Sequence, residues 1–200
     1  MDEIAPGLFH YSARHERIGT VVHSYVLRDA AAVLDPMIPE EGLDWFESHV
    51  RPEQVLLTNR HHYRHAGDLA ERFGCVVRAS RAGMHEFGDA AVEPFDPGDT
   101  LPGGIEVHEV GAICPDEVAL FIPSARALAC ADGVVRWEGP GAPLAFVPDE
   151  LLGDDPEAVK EGLRAAYRRL LELDFDTLLL AHGNPVPAGG RRALEEFAGS

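Results

Sequence analysis

Two short segments, residues 54–58 (QVLLT) and 177–181 (TLLLA), are almost wholly apolar, and each runs straight into a polar cluster. A strand with one wet face alternates apolar and polar residues. An unbroken apolar run is instead the pattern of a strand covered on both sides. Each half of the chain therefore needs a sheet with material packed above and below it. Helical signals supply that cover. Residues 156–173 carry Val159, Leu163, Ala166, Tyr167, Leu170 and Leu171, mostly at three- and four-residue steps that make one apolar stripe. Asp155 followed by Pro156 reads as an N-cap with proline in the first helical position. Further helices are expected at 39–50, 66–73, 81–87 and 191–198, with Gly74 stopping the second of these.

The remaining strands are expected at 4–12, 20–28, 31–35, 75–79, 92–95, 105–110, 118–122, 127–131 and 134–137. Residues 96–99 (DPGD) are turn chemistry, and 139–148 is a Pro/Gly-rich surface loop. Strands followed by helices in both halves predict an α/β (α+β) fold, a four-layer αββα sandwich. At 200 residues, 46% of them hydrophobic, the chain reads as a single domain over 1–200 with a substantial core.

Composition excludes several functions. Seventeen basic against thirty-four acidic side chains give a formal charge of −17. That argues against nucleic acid and against an anionic membrane surface, both of which need clustered Lys and Arg. Cys75, Cys114 and Cys130 form no CxxC pair, which argues against a disulfide scaffold or zinc ribbon. They read as small buried hydrophobes. The first residues lack a basic and apolar leader, and no apolar run reaches membrane-spanning length, so the expectation is a cytoplasmic protein. No nucleotide loop and no GxSxG elbow is present.

The densest polar feature is Thr58-Asn59-Arg60-His61-His62-Tyr63-Arg64-His65, set between an apolar strand and a helix start. Three of the chain's ten histidines fall within five residues there. Imidazole is the commonest metal ligand, and loops after strand ends are where sites collect. Two other polar residues close apolar strands: Asp132 in CADG and His182 in AHGNP. Each alone reads as a turn or core residue.

Taken together and in order, these segments resemble the metallo-β-lactamase superfamily across nearly the whole chain. SYVL at 24–27 with VLDP at 33–36 is similar to that family's early hairpin, and HAGDLA at 65–70 to the helix start after its HxHxDH motif. PSARAL at 123–128 is similar to the hairpin before its bridging aspartate, and His182-Gly183 to its last metal histidine. The resemblance implies a hydrolase-like protein with metal ligands at His62, His65, Asp132 and His182. It also implies departures. Arg60 stands for the first motif histidine, Arg64 for the motif aspartate, and Ala112 for a further ligand histidine. The loop is one residue longer than the motif, which leaves open whether His61 or His62 faces the cleft.

Exchanging a carboxylate for Arg64 removes attraction to a cation and adds repulsion. A unit charge about 5 Å from a dication is repelled by roughly 6–7 kcal/mol at an effective dielectric of about 20. The expectation is a degraded two-metal site without metal, in which Arg64 or Arg60 occupies a vacated position and pairs with Asp132. A cleft lined by Arg60, His61, His62, Arg64 and His182 then suits a small anion. The alternative is one Zn or Fe ion, serving hydrolysis of an ester, thioester, lactone or phosphodiester. Arg64 discriminates between the two by pointing into the cleft or to solvent.

Overall fold

The computed structural model describes residues 1–137 and 139–199. One sheet has seven strands in chain order: β1 (Asp2–Ala5), β2 (Leu8–Arg14), β3 (Val21–Leu27), β4 (Ala32–Leu34), β5 (Gln54–Leu56), β6 (Val76–Ser80) and β7 (Val92–Phe95). The other holds β8 (Thr100–Leu101), β9 (Ile105–Glu109), β10 (Val118–Ile122), β11 (Ala127–Cys130) and β12 (Thr177–Leu180), with β12 on the edge beside β11. Helices α1 (Asp44–His49) and α2 (Ala66–Phe73) serve the first sheet, and α3 (Pro156–Leu170) and α4 (Gly190–Gly199) the second.

The four layers follow from where the apolar side chains go. Leu8, Tyr25, Leu34 and Leu56 of the first sheet meet Val107, Leu120, Ala129 and Leu179 of the second in one central core. The opposite faces carry Val26, Val33 and Val55 against Phe46 and Leu69, and Leu128 and Leu178 against Leu163, Tyr167 and Leu194. The unbroken apolar strands at 54–58 and 177–181 are thus covered on both sides, as their sequence requires. The expected α/β sandwich is present.

Local differences have local causes. The strand expected at 4–12 is broken into β1 and β2 by a tight turn in which Gly7 takes φ +73°. The helix expected at 39–50 starts only at Asp44, because Gly42 at φ +75° closes a turn onto Pro39 first. Residues 81–86 form a 3₁₀ turn rather than an α-helix. Residues 134–137 join no ladder and make single bridges, Val135 to Ala145 and Arg136 to Gly183. Asp155 caps α3 through Ala158 N–H, and Gly74 ends α2 in the left-handed conformation, both as the sequence predicts. No helix among the described residues is long and apolar enough to cross a membrane.

Candidate metal centre

Each sheet contains a parallel pair beside the position where the site forms: β4 with β5, and β11 with β12. Their carboxyl ends release Asp35, Thr58, Asp132 and His182 one or two residues past the last strand residue. Bonds between the sheets lock these ends together. Val118 N–H donates to Thr58 O at 2.9 Å, His23 N–H to Ala181 O at 3.0 Å, and the Tyr25 hydroxyl bonds both O and N of Leu180.

After β5 the chain turns through a short 3₁₀ helix, Arg60–Tyr63. Asn59 starts it by accepting the His61 N–H, and the other end of the same amide donates to Asp132 Oδ2 at 2.8 Å. This turn puts His62, not His61, into the interior. His62 is buried, its Nδ1 is 3.0 Å from Asp35 Oδ2, and its Nε2 is 3.1 Å from Asp132 Oδ1. His182 Nε2 lies 3.0 Å from the same Asp132 oxygen. One ligand atom each from His62, Asp132 and His182 can be chosen so that all three lie within 4.8 Å of one another.

Electrostatics follow from this geometry. Burial alone lowers the His62 pKa, but the carboxylates of Asp35 and Asp132 outweigh it and raise it to about 9. Burial disfavours charge on Asp35 and Asp132 as well. Contact with His62 outweighs that for both, and His182 adds to it at Asp132, so both carboxyls are held below the usual range.

The two arginines do not meet Asp132, which corrects the expected arginine–aspartate pair. Arg60 turns outward, bonding buried Asp116 through its backbone N–H and its guanidinium, and Glu86 at 2.9 Å. Arg64 points inward, neither to solvent nor onto Asp132. Its Nη1 donates to the backbone oxygens of Asp35 at 2.7 Å and His23 at 3.0 Å, and its Nη2 is buried without a partner. Asp132 is already filled by His62, His182 and Asn59, so its oxygens have little left to offer a guanidinium. His61 is exposed. His65 stands apart from the three-donor group: its Nδ1 accepts the Ile38 N–H, and its Nε2 is 3.5 Å from Glu16. Arg64 (φ +42°) and Asp35 (φ +46°) both hold a positive φ that costs a side-chain-bearing residue about 1 kcal/mol or more.

The donor set fits one divalent ion. Two imidazole Nε2 atoms and a carboxylate oxygen are a sufficient catalytic-type ligand set. The His62 Nδ1–H is held by Asp35, the carboxylate–histidine support that ligating imidazoles usually have. His182 lacks that support, since its Nδ1 is buried without a partner. A second ion finds no comparable set among the described residues.

Sequence reasoning did not single out Asp35, Asn59, Asp116 or Glu117. Asp35 carried the same signal as Asp132, an aspartate closing an apolar strand. Glu117 is fully buried behind the centre, its Oε1 accepting the N–H of Gly133 at 2.8 Å. Two glycines follow the ligand positions for steric reasons. A Cβ on Gly133 would stand 2.5 Å from the Tyr167 hydroxyl, and one on Gly183 would collide with the Arg136 carbonyl.

Two sheets packed face to face, with a histidine–aspartate centre at their strand ends, define the metallo-β-lactamase fold, and the chain has that fold. It overlays a metallo-beta-lactamase family protein from Thermus thermophilus with a TM-score of 0.67 and 16% identity, covering 98% of this chain and 80% of that one. It overlays the metallo-beta-lactamase from Pontibacter korlensis at 0.70 and 18%, covering 100% and 98%. A third similar structure, at 0.66 and 21% identity over 92% of this chain and 96% of that one, was solved in a di-iron-bound form. Among curated proteins the chain is similar to the hydroxyacylglutathione hydrolase of Parasynechococcus marenigrum (strain WH8102), 27% identical over 168 residues. That match covers 78% of this chain but 63% of the relative, less than two thirds of its length. No protein-family model matches the sequence. The resemblance read from the sequence is borne out by these neighbours.

Proposed function

We propose that the chain is a hydrolase that works with a single divalent ion, Zn or Fe, held by His62, Asp132 and His182. The observation that carries this reading is the convergence of those three donor atoms from three separate segments, with Asp35 behind His62. Arg60, Arg64 and Ala112 stand at three further positions where the family motif would supply ligands, and His65, at the fourth, turns to Ile38 and Glu16, so the two-ion arrangement is lost. The substrate class is an ester, thioester, lactone or phosphodiester. The similarity to a hydroxyacylglutathione hydrolase puts thioesters first.

An ion at this position supplies Lewis-acid activation of water and of the scissile carbonyl or phosphoryl group. The chain's own residues prepare for it. Asp35 keeps a proton on His62 Nδ1, which leaves Nε2 as the donor atom. Asn59 fixes the rotation of the Asp132 carboxylate. Arg64 offsets one of the two carboxylate charges from within the interior. Trp137 is 48% exposed with its ring 5.6 Å from that of His182, and so walls one side of the centre.

Charge balance and the inward direction of Arg64 favour a second reading, a metal-free binding protein. The carboxylates of Asp35 and Asp132 are matched by protonated His62 and by Arg64 with no ion at all. In that case the small anion binds near Arg60, His61 and Arg64, which share a cavity that His62, held between Asp35 and Asp132, does not line. Elemental analysis of protein purified without chelator, followed by calorimetric titration with Zn(II) and Fe(II), separates the two. One ion per chain that is lost in Asp132→Asn and His182→Ala variants is the result expected for the hydrolase. No binding of either ion selects the metal-free reading, and two ions per chain overturn both.

A further inference from the structure

A cavity of about 550 Å³ opens on the other side of the Arg60–Tyr63 turn, between it and the tip of the β2–β3 hairpin. None of the three donor residues of the centre lines it. Its walls hold an unusual set of partner-free donors. Among the described residues, the Arg17 guanidinium, the His61 ring and the Tyr63 hydroxyl make no hydrogen bond or ion pair, and Arg64 Nη2 is buried without a partner. His65 adds another donor. Its Nδ1 accepts the Ile38 N–H, so in the neutral ring the proton sits on Nε2. Two carboxylates are also present, and Glu16 lies 3.5 Å from His65 Nε2, but neither reaches Arg17 or Arg64 Nη2. Glu86 is taken by Arg60 at 2.9 Å, and Glu16 stands at the rim with 67% of its side chain exposed.

Arg64 Nη2, buried at this wall without a partner, calls for an acceptor, and the exposed Arg17 and His61 side chains stand free to turn toward the same ligand. In a chain of formal charge −17, a wall carrying Arg17 and Arg64 is also a local reversal of sign that draws anions. The remaining lining is His15, whose Nδ1 accepts the Arg17 N–H, and the apolar Met37, Phe87 and Ala90, with the Tyr63 ring 5.8 Å from that of Phe87. We propose that this cavity binds the carboxylate of a small organic acid, with the acid's apolar body against Phe87 and Met37. Calling that acid part of the substrate rests on the hydrolase reading; the binding itself does not.

The test uses the full chain, treated with chelator, so that failure of the metal reading leaves it intact. Benzoate, acetate and inorganic phosphate are titrated by calorimetry while the histidine ring resonances are followed by NMR. Saturable benzoate binding that shifts His61 and His65, tighter than acetate or phosphate, is expected. Arg17→Ala should weaken benzoate about tenfold, the loss of one charge-assisted hydrogen bond. Phe87→Ala should abolish the preference for benzoate over acetate. The proposal is overturned by no saturable binding, by shifts confined to His62 and His182, or by affinities that both variants leave unchanged. Phosphate binding as tightly as benzoate overturns the assignment to a carboxylate.

Discussion

Replacing Glu117 by Gln should stabilise this protein at neutral pH, and by an amount that grows with pH. Glu117 is fully buried, and its Oε2 has no partner. Burial, and then the charge of Asp132, push its pKa up to about 8 from 4.5. Between those two values the folded state keeps a proton that the unfolded chain releases. Stability therefore falls as pH rises, by about 1.4 kcal/mol per pH unit. Over the two and a half units from 4.5 to 7 the cost reaches about 3 kcal/mol, and it levels off above pH 8. Glutamine has the same shape, never ionises, and still offers an oxygen to the Gly133 N–H. Urea unfolding of Glu117→Gln and wild type, both with chelator, at half-unit steps from pH 5 to pH 8.5, measures the difference directly. Taking the difference cancels titrations the two proteins share, including that of His62. The expected curve is about 1 kcal/mol near pH 5 and rises to about 3 kcal/mol in favour of Gln at pH 7. A difference independent of pH, or one that falls across that range, would refute the reasoning, because it would mean the Glu117 carboxyl titrates as it does in the unfolded chain.

Asp35→Asn removes the carboxylate that holds the His62 Nδ1 proton, so Zn(II) affinity measured by calorimetry should fall about ten- to a hundredfold; unchanged affinity would count against Asp35 as the support of His62. Gly183→Ala drives a Cβ into the Arg136 carbonyl at φ +109° and should cost roughly 3 kcal/mol or more in chemical unfolding, whereas a wild-type midpoint would show that the segment relaxes freely. His23 is kept neutral: burial first, then the charges of His10, His182 and Arg64, push its pKa down to about 3. Its contribution is complete above the unfolded value of 6.5 and is lost as pH falls below it, so wild type should lose about 2 kcal/mol relative to His23→Gln between pH 7.5 and pH 5. Equal losses in both proteins would contradict this.

The layered fold was legible in the sequence because burial on both faces leaves a one-dimensional trace. The runs at 54–58 and 177–181 admit no wet face, and the stripe on α3 admits only one dry one. Asp132 and His182 were legible for a related reason, since a polar residue ending such a run must emerge at a strand end. What tertiary structure alone decided is which polar groups meet. Asp35 carried the same local signal as Asp132, yet only the pairing of β4 with β5 brings it to His62. The choice between His61 and His62 was set by the Asn59 cap, and the exclusion of His65 by its bond to Ile38. Arg60 and Arg64 were read as candidates for one vacated position and one aspartate. They part because Asp116 and two backbone oxygens, all distant in sequence, offer them acceptors that Asp132 has already given to others. Periodicity records how much of a segment is buried; hydrogen-bond partners across the chain depend on competition among all the groups that the fold brings within reach.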